Sequence, residues 1–149
     1  MESPSTYAAW LDVFDVLKRG EDDGEVLAAL RGGTLAWQSG VAERFSQSFA
    51  DVLNARLDAA LDRFQKAFGR SGGSEASVVS ALLSLRKEFA FLAQVADLPA
   101  LPDELRAQYV QLVNDQAEKV QESLEDSAKR SDRTGKLLSV VRNHPIVIR

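Results

Sequence analysis

The fold of this chain is decided by residues 74–97, which read SEASVVSALLSLRKEFAFLAQVAD. Charged side chains before the final aspartate are few, namely Glu75, Arg86, Lys87 and Glu88. The apolar side chains recur at helical spacing and cover about 200° of a helical wheel, twice the width of the stripe on a one-sided surface helix. The segment therefore predicts a helix that is packed between other helices, with more apolar surface than two neighbouring long helices can cover.

Two further long helices are predicted on either side of this segment, at residues 34–68 and 102–131. The first carries an apolar stripe at steps of three or four residues, made of Phe45, Phe49, Leu53, Leu57, Leu61, Phe64 and Phe68. Gly40 is a candidate break near its start. Because the connections are short, neighbouring long helices are expected to run antiparallel.

The segments at the two ends of the chain are shorter. Residues 1–33 predict two short helices, the first capped by Ser5 or Thr6 and ended by Gly20. Residues 132–149 predict a short helix at 136–143 and an extended apolar tail. The predicted fold class is all-α: one domain over 1–149, an antiparallel bundle of three long helices with two short N-terminal helices. The tail either packs on the bundle or another chain, or it continues into a longer protein whose N-terminal domain this is.

The composition excludes several classes of chemistry. The chain of 149 residues has no cysteine and one histidine, His144, which leaves no disulfide framework, thiolate metal site or cysteine nucleophile. No apolar run approaches the ~18 residues that a membrane span needs, and no secretory signal is visible at the N-terminus. We therefore expect a cytoplasmic protein with no membrane association, no cofactor and no bound metal.

Two candidate catalytic features are weak. His144 precedes a proline near the end of the chain, where no rigid frame is expected to orient it. Glu122 and Glu125 form a Glu-x-x-Glu pair, as in helical magnesium-dependent pyrophosphohydrolases, but no Glu-x-x-Asp occurs to supply the second half of such a site. A solvated helix face explains the pair better.

The main functional hypothesis is a non-catalytic adaptor or regulatory module that binds a protein partner or a second copy of itself. Its binding surface is expected to be an exposed apolar helix face or the C-terminal tail. The candidate partner-binding residues are Phe91, Leu98, Leu101, Ile146, Val147 and Ile148.

Two alternatives remain open. A nucleic-acid-binding protein would use the basic residues near the C-terminus, namely Lys129, Arg130, Arg133, Lys136 and Arg142. Arg56, Arg63 and Arg70 form a second basic row at seven-residue spacing, although acidic residues lie beside both sets. The other alternative is a helical-bundle enzyme with a carboxylate metal site.

Overall fold

The structure, a computed structural model, describes residues 1–35, 40–70, 75–131, 136–143 and 146. Within these ranges the chain forms six α-helices and no strand. The helices are α1 (Tyr7–Arg19), α2 (Asp23–Arg31), α3 (Val41–Arg70), α4 (Glu75–Ala96), α5 (Asp103–Ser131) and α6 (Lys136–Asn143). The predicted all-α bundle is confirmed. Among the described helices, none is both long and apolar enough to cross a membrane.

The first helix begins and ends where its sequence signals lie. The Thr6 hydroxyl accepts a hydrogen bond of 3.2 Å from the amide of Ala9, which satisfies one free donor of the first turn. Gly20 ends the helix in the left-handed region at φ 73°, and its amide donates to the Leu17 carbonyl at 3.1 Å. Both signals were predicted from the sequence.

The third helix begins later than its sequence pattern predicts. Gly40 has a φ of 86°, which is outside the helical range, so α3 starts at Val41 rather than at residue 34. The candidate break at Gly40 is therefore confirmed. The predicted helices at 74–97 and 102–131 correspond to α4 and α5.

Helix α4 lies at the centre of the packing. It contacts α3 and α5, as predicted, and it also contacts α6 and α2. Leu82, Leu85 and Leu92 are almost wholly buried, whereas Leu83 keeps 43% of its surface exposed. Two short helices therefore cover apolar surface of α4 that the long helices do not, and the expectation of an exposed apolar face is wrong for the side chains of α4 that the structure describes.

An aromatic cluster fills the core where α1, α3 and α5 meet. The rings of Trp10, Phe14 and Phe45 meet edge to face at centroid distances between 5.0 and 6.1 Å. Phe49 stacks on Tyr109 at 4.3 Å. The Tyr109 hydroxyl shares a hydrogen bond of 2.7 Å with Ser46, and burial raises the pKa of Tyr109 although this bond opposes the shift.

The segment before α1 and the segment after α2 are joined around the Trp10 indole. The Thr34 amide donates to the Pro4 carbonyl at 2.9 Å, and the Trp10 Nε1–H donates to the Thr34 carbonyl at 3.0 Å. Gly33 lies so close to the indole that an added Cβ would be 2.7 Å from Trp10 Cζ2. A glycine is therefore required at this position for steric reasons.

We expect Gly33→Ala to lower the free energy of unfolding by about 1–3 kcal/mol, because the methyl group would overlap a buried indole. Gly24→Ala is the matched control. An added Cβ at Gly24 meets nothing within 4 Å, and inside α2 alanine should stabilise by about 0.5–1 kcal/mol. Urea unfolding followed by circular dichroism measures both. Equal effects of the two substitutions would contradict the packing of Gly33 against Trp10.

Candidate functional site

The guanidinium of Arg56 is buried in the middle of α3, with 6% of the residue exposed. Nη1 and Nη2 donate to the two carboxylate oxygens of Asp23, each at 2.8 Å. Nε and Nη2 donate to the two carboxylate oxygens of Glu88 at 2.6 and 3.1 Å. Nη1 also donates to the Leu17 carbonyl at 3.0 Å. All five N–H groups of the guanidinium are thus used.

This ion cluster joins four helices. Leu17 lies at the C-terminal end of α1, where carbonyl groups lack helical partners and a cation is favoured. Asp23 lies in the first turn of α2, Glu88 lies on α4, and the Arg56 guanidinium carbon is 4.6 Å from the centre of the Phe91 ring. The cluster therefore fixes α1 and α2 to the α3–α4 pair.

The electrostatics of the cluster favour its charged state. The hydrogen bonds from Arg56 hold the pKa of Asp23 below its ordinary value, against an opposing contribution from burial, and the charge of Arg56 acts in the same direction. Burial disfavours the charged form of Arg56, but its bonds to Asp23 and Glu88 outweigh that effect and raise its pKa. With every donor used, the guanidinium has no hydrogen bond left to offer a substrate.

The prediction of a basic row for phosphate contacts at Arg56, Arg63 and Arg70 is wrong for Arg56. In the structure Arg56 is buried and paired, whereas Arg63 is exposed. The side chain of Arg70 lies outside the described residues. The sequence did contain a signal for the burial of Arg56, because this residue lies next to the apolar positions Leu53 and Leu57 on α3. It did not indicate which acidic residues would pair with Arg56.

A second polar contact holds the C-terminal segment, by which we mean α6 together with Ile146. The side-chain amide of Gln121 on α5 donates from Nε2 to the Val141 carbonyl at 3.4 Å. Its Oε1 accepts from the Ile146 amide at 3.0 Å. Nε2 also donates to Glu125 at 3.2 Å. One side chain on α5 therefore binds two backbone groups of the C-terminal segment.

The C-terminal segment lies in a groove between α4 and α5. Helix α6 contacts both of these helices. Val140, Val141 and Ile146 are buried, with Ile146 wholly inaccessible. No signal in the sequence pointed to Gln121, because a glutamine on a polar helix face is ordinary and its bonds to residues 141 and 146 depend on how the chain folds back.

Three of the predicted partner-binding residues are not exposed. Leu98, Leu101 and Ile146 have exposures of 1%, 3% and 0%, so the expectation that they form a free apolar surface is wrong. Leu98 and Leu101 belong to a turn closed by the bond from the Leu101 amide to the Leu98 carbonyl, and both side chains join the core. Phe91 is half-buried beside Arg56. Val147 and Ile148 lie outside the described residues.

The basic residues of the nucleic-acid alternative are only partly described. Lys129 is exposed near the end of α5, and Arg142 is exposed near the end of α6. Arg130 and Lys136 lie in helices, but their side chains are outside the description, as is the whole of Arg133. The proposed nucleic-acid surface therefore stays a prediction.

The structure describes no catalytic site around either catalytic candidate. His144 lies outside the described residues, and Glu122 is exposed. In the part of the chain that the structure describes, no three His, Cys, Asp or Glu side chains are placed to hold one metal ion. A depression of about 60 Å³ between α1 and α3 is bordered by Asp15, Lys18 and Asp51. This volume is well below the about 300–1,000 Å³ that is typical of small-molecule pockets.

Comparison with protein-family models, with curated proteins and with solved structures finds no match for this chain.

We expect Arg56→Ala to destabilise the protein by about 3–5 kcal/mol, because it leaves the largely buried carboxylate of Glu88 without its cation and removes the hydrogen bond from Arg56 to the Leu17 carbonyl. Arg63→Ala, an exposed arginine two turns further along α3, should change stability by less than about 0.5 kcal/mol. The free energy of unfolding in urea distinguishes them. Similar small effects of both would contradict the buried cluster.

The pKa of Asp23 predicts a dependence of stability on pH. Because the folded-state pKa lies below the unfolded value, the contribution of Asp23 is complete above its ordinary pKa of about 3.9 and is lost as pH falls through the folded-state value. The wild type should therefore exceed Asp23→Asn in stability at neutral pH, and the difference should shrink towards pH 2.

Urea unfolding at a series of pH values measures this difference. Asp58→Asn, at an exposed position on α3, is the control and should show no such convergence. A gap between wild type and Asp23→Asn that stays constant down to pH 2 would exclude the proposed ion pair.

Proposed function

We propose that this chain is a non-catalytic protein–protein interaction module that binds an amphipathic peptide segment in the groove between α4 and α5. The observation that carries the proposal is the occupation of this groove by the C-terminal segment of the chain itself, with Val140, Val141 and Ile146 buried in it. Seating of an amphipathic helix in an apolar groove is a common mode of peptide recognition. The groove thus has the form of a peptide-binding site.

The contact from Gln121 supports recognition of a peptide backbone. A side-chain amide offers one acceptor and two donors, and here it pairs with a backbone N–H and a backbone C=O of the bound segment. Such bonds do not depend on the side chains of the ligand. A partner segment therefore needs an apolar face and a backbone turn like that of the C-terminal segment, not an identical sequence.

The charge distribution of the chain also favours an amphipathic peptide as the ligand. Residues 132–149 carry four basic side chains and one acidic side chain, whereas residues 102–131 carry seven acidic and four basic side chains. Arg142, the basic side chain of this region that the structure describes, is exposed on α6, and α6 contacts the most acidic of the long helices. A basic amphipathic segment is the partner that this surface favours.

The energetics suit a segment that can be displaced. Helix α6 has eight residues, and an isolated helix of this length is not stable in water. It is therefore held by its contacts with α4 and α5. A partner that makes the same contacts can displace it, and we expect the rest of the bundle to stay folded.

The test is binding of a labelled peptide with the sequence of residues 136–149 to full-length variants. In Val140→Asp the chain's own segment is weakened by a charge at a buried position. This protein should bind the peptide at least about tenfold more tightly than the wild type, whose groove is already occupied at millimolar effective concentration. Fluorescence anisotropy measures the affinity.

The matched control is Ser139→Asp, which introduces the same side chain at the preceding, exposed position of α6 and should behave as the wild type. Adding Gln121→Leu to Val140→Asp should weaken peptide binding by about fivefold or more, since two hydrogen bonds are lost. Equal binding by all variants, or no binding by a Val140→Asp protein that still unfolds cooperatively, would reject the proposal. If Val140→Asp does not fold, Ile146→Asp replaces it with the same expectation.

A further inference from the structure

We infer that Glu125 is a positioning residue of the peptide-binding groove, which holds the Gln121 amide so that it accepts from a backbone N–H of the bound segment. This role rests on the proposed function and deepens it, because it defines which peptides the groove takes. Glu125 lies one turn after Gln121 on α5, is half-buried, and accepts a hydrogen bond of 3.2 Å from Gln121 Nε2. The neighbouring acid Glu122 is exposed.

The Glu125 carboxylate determines which end of the Gln121 amide faces the bound backbone. A side-chain amide has a donor end and an acceptor end of nearly the same shape. An ionised carboxylate only accepts hydrogen bonds, so it favours the orientation in which Nε2 is on its own side. If the amide were turned over, Oε1 of Gln121 would face the carboxylate of Glu125, and the oxygens would repel each other.

In this orientation the Gln121 amide distinguishes a backbone donor from a backbone acceptor. Nε2 donates to Glu125 at 3.2 Å and to the Val141 carbonyl at 3.4 Å, which uses both of its hydrogens. Oε1 accepts from the Ile146 amide at 3.0 Å, the shorter of the two contacts with the C-terminal segment. A bound segment therefore has to offer an N–H at the position of Ile146.

The contacts around Ile146 and α6 define a class of peptide. The residue at the position of Ile146 needs a backbone N–H, which proline lacks, and an apolar side chain, because Ile146 has no exposed surface. Val140 and Val141 are buried as well. We therefore expect a ligand with two adjacent aliphatic residues and, five positions after the second, a further aliphatic residue other than proline.

The need for a backbone N–H is tested with two forms of the peptide of residues 136–149. One form has the natural amide at Ile146, and the other has an ester there, which removes the N–H and keeps the side chain. On the Val140→Asp chain the ester form should bind about threefold to tenfold more weakly in fluorescence anisotropy. On a chain with both Val140→Asp and Gln121→Leu the two forms should bind equally. An ester that binds the Val140→Asp chain as tightly as the amide overturns this requirement.

The positioning role of Glu125 is tested in the same Val140→Asp chain, or in Ile146→Asp where Val140→Asp does not unfold cooperatively. Glu125→Ala should weaken binding of the amide peptide by about threefold or more. Glu125→Gln removes the same charge but keeps an acceptor, so it should bind as tightly as the chain with Glu125. Glu122→Ala, at an exposed position of α5, is the matched control and should have no effect.

A role that acts through Gln121 has to vanish when Gln121 is absent. In the presence of Gln121→Leu, Glu125→Ala should therefore cause no further loss of affinity. An equal loss with and without Gln121, or equal losses in Glu125→Ala and Glu125→Gln, would show an effect of helix stability or charge and would overturn the positioning role.

Hydrogen exchange of the Ile146 amide separates this role from the proposed function. In the full-length chain with its own segment bound, Glu125→Ala should accelerate this exchange by about threefold or more, measured by NMR, whereas Glu125→Gln and Glu122→Ala should not. If the rates behave in this way but no peptide binds, the positioning role stands for the chain's own segment and the peptide-binding function is wrong. If the peptide binds and Glu125→Ala changes neither affinity nor rate, the positioning role is wrong and the function stands.

Discussion

The guanidinium of Arg56 is the contact on which the arrangement of the N-terminal helices depends. It is bound by two carboxylates, by the carbonyl at the end of α1 and by an aromatic face, and these groups come from the three helices α1, α2 and α4. A buried cation is costly unless it is fully paired, so the geometry that pairs it is strongly preferred over alternatives. The turn between α1 and α2, in which Asp22 adopts a φ of 51°, places Asp23 at that point.

Two regions of apolar packing add to this polar contact, namely the aromatic cluster and the C-terminal segment. The aromatic cluster around Trp10 and Phe45 buries large rings from α1, α3 and α5, and each such ring pair contributes about 0.5–1.5 kcal/mol beyond the area that it buries. The C-terminal segment adds three described aliphatic side chains and the bonds to Gln121. Because fewer described side chains are buried in the C-terminal segment than in the rest of the bundle, we expect this segment to open at lower free energy than the rest.

This difference in local stability gives the proposed function its physical basis. A groove that binds a segment of its own chain keeps an apolar surface covered until a competing segment arrives. The affinity of a partner is then reduced by the fraction of molecules in which the groove is free. In the proposed function, a competitor is selected by apolar shape, by a basic charge and by a backbone turn that Gln121 can bind.

The sequence by itself determined where the helices lie in the chain and several of their ends, because apolar spacing and capping residues act within a few residues of one another. Thr6, Gly20 and Gly40 mark helix ends through local backbone geometry, and the apolar width of residues 74–97 predicted that α4 is surrounded. Only the tertiary structure decided which helices surround it. The pairing of Arg56 with Asp23 and Glu88, and of Gln121 with residues 141 and 146, joins positions far apart in the chain. Such pairs form where the folded backbone brings distant residues together. The spacing of residues within one helix does not predict that path.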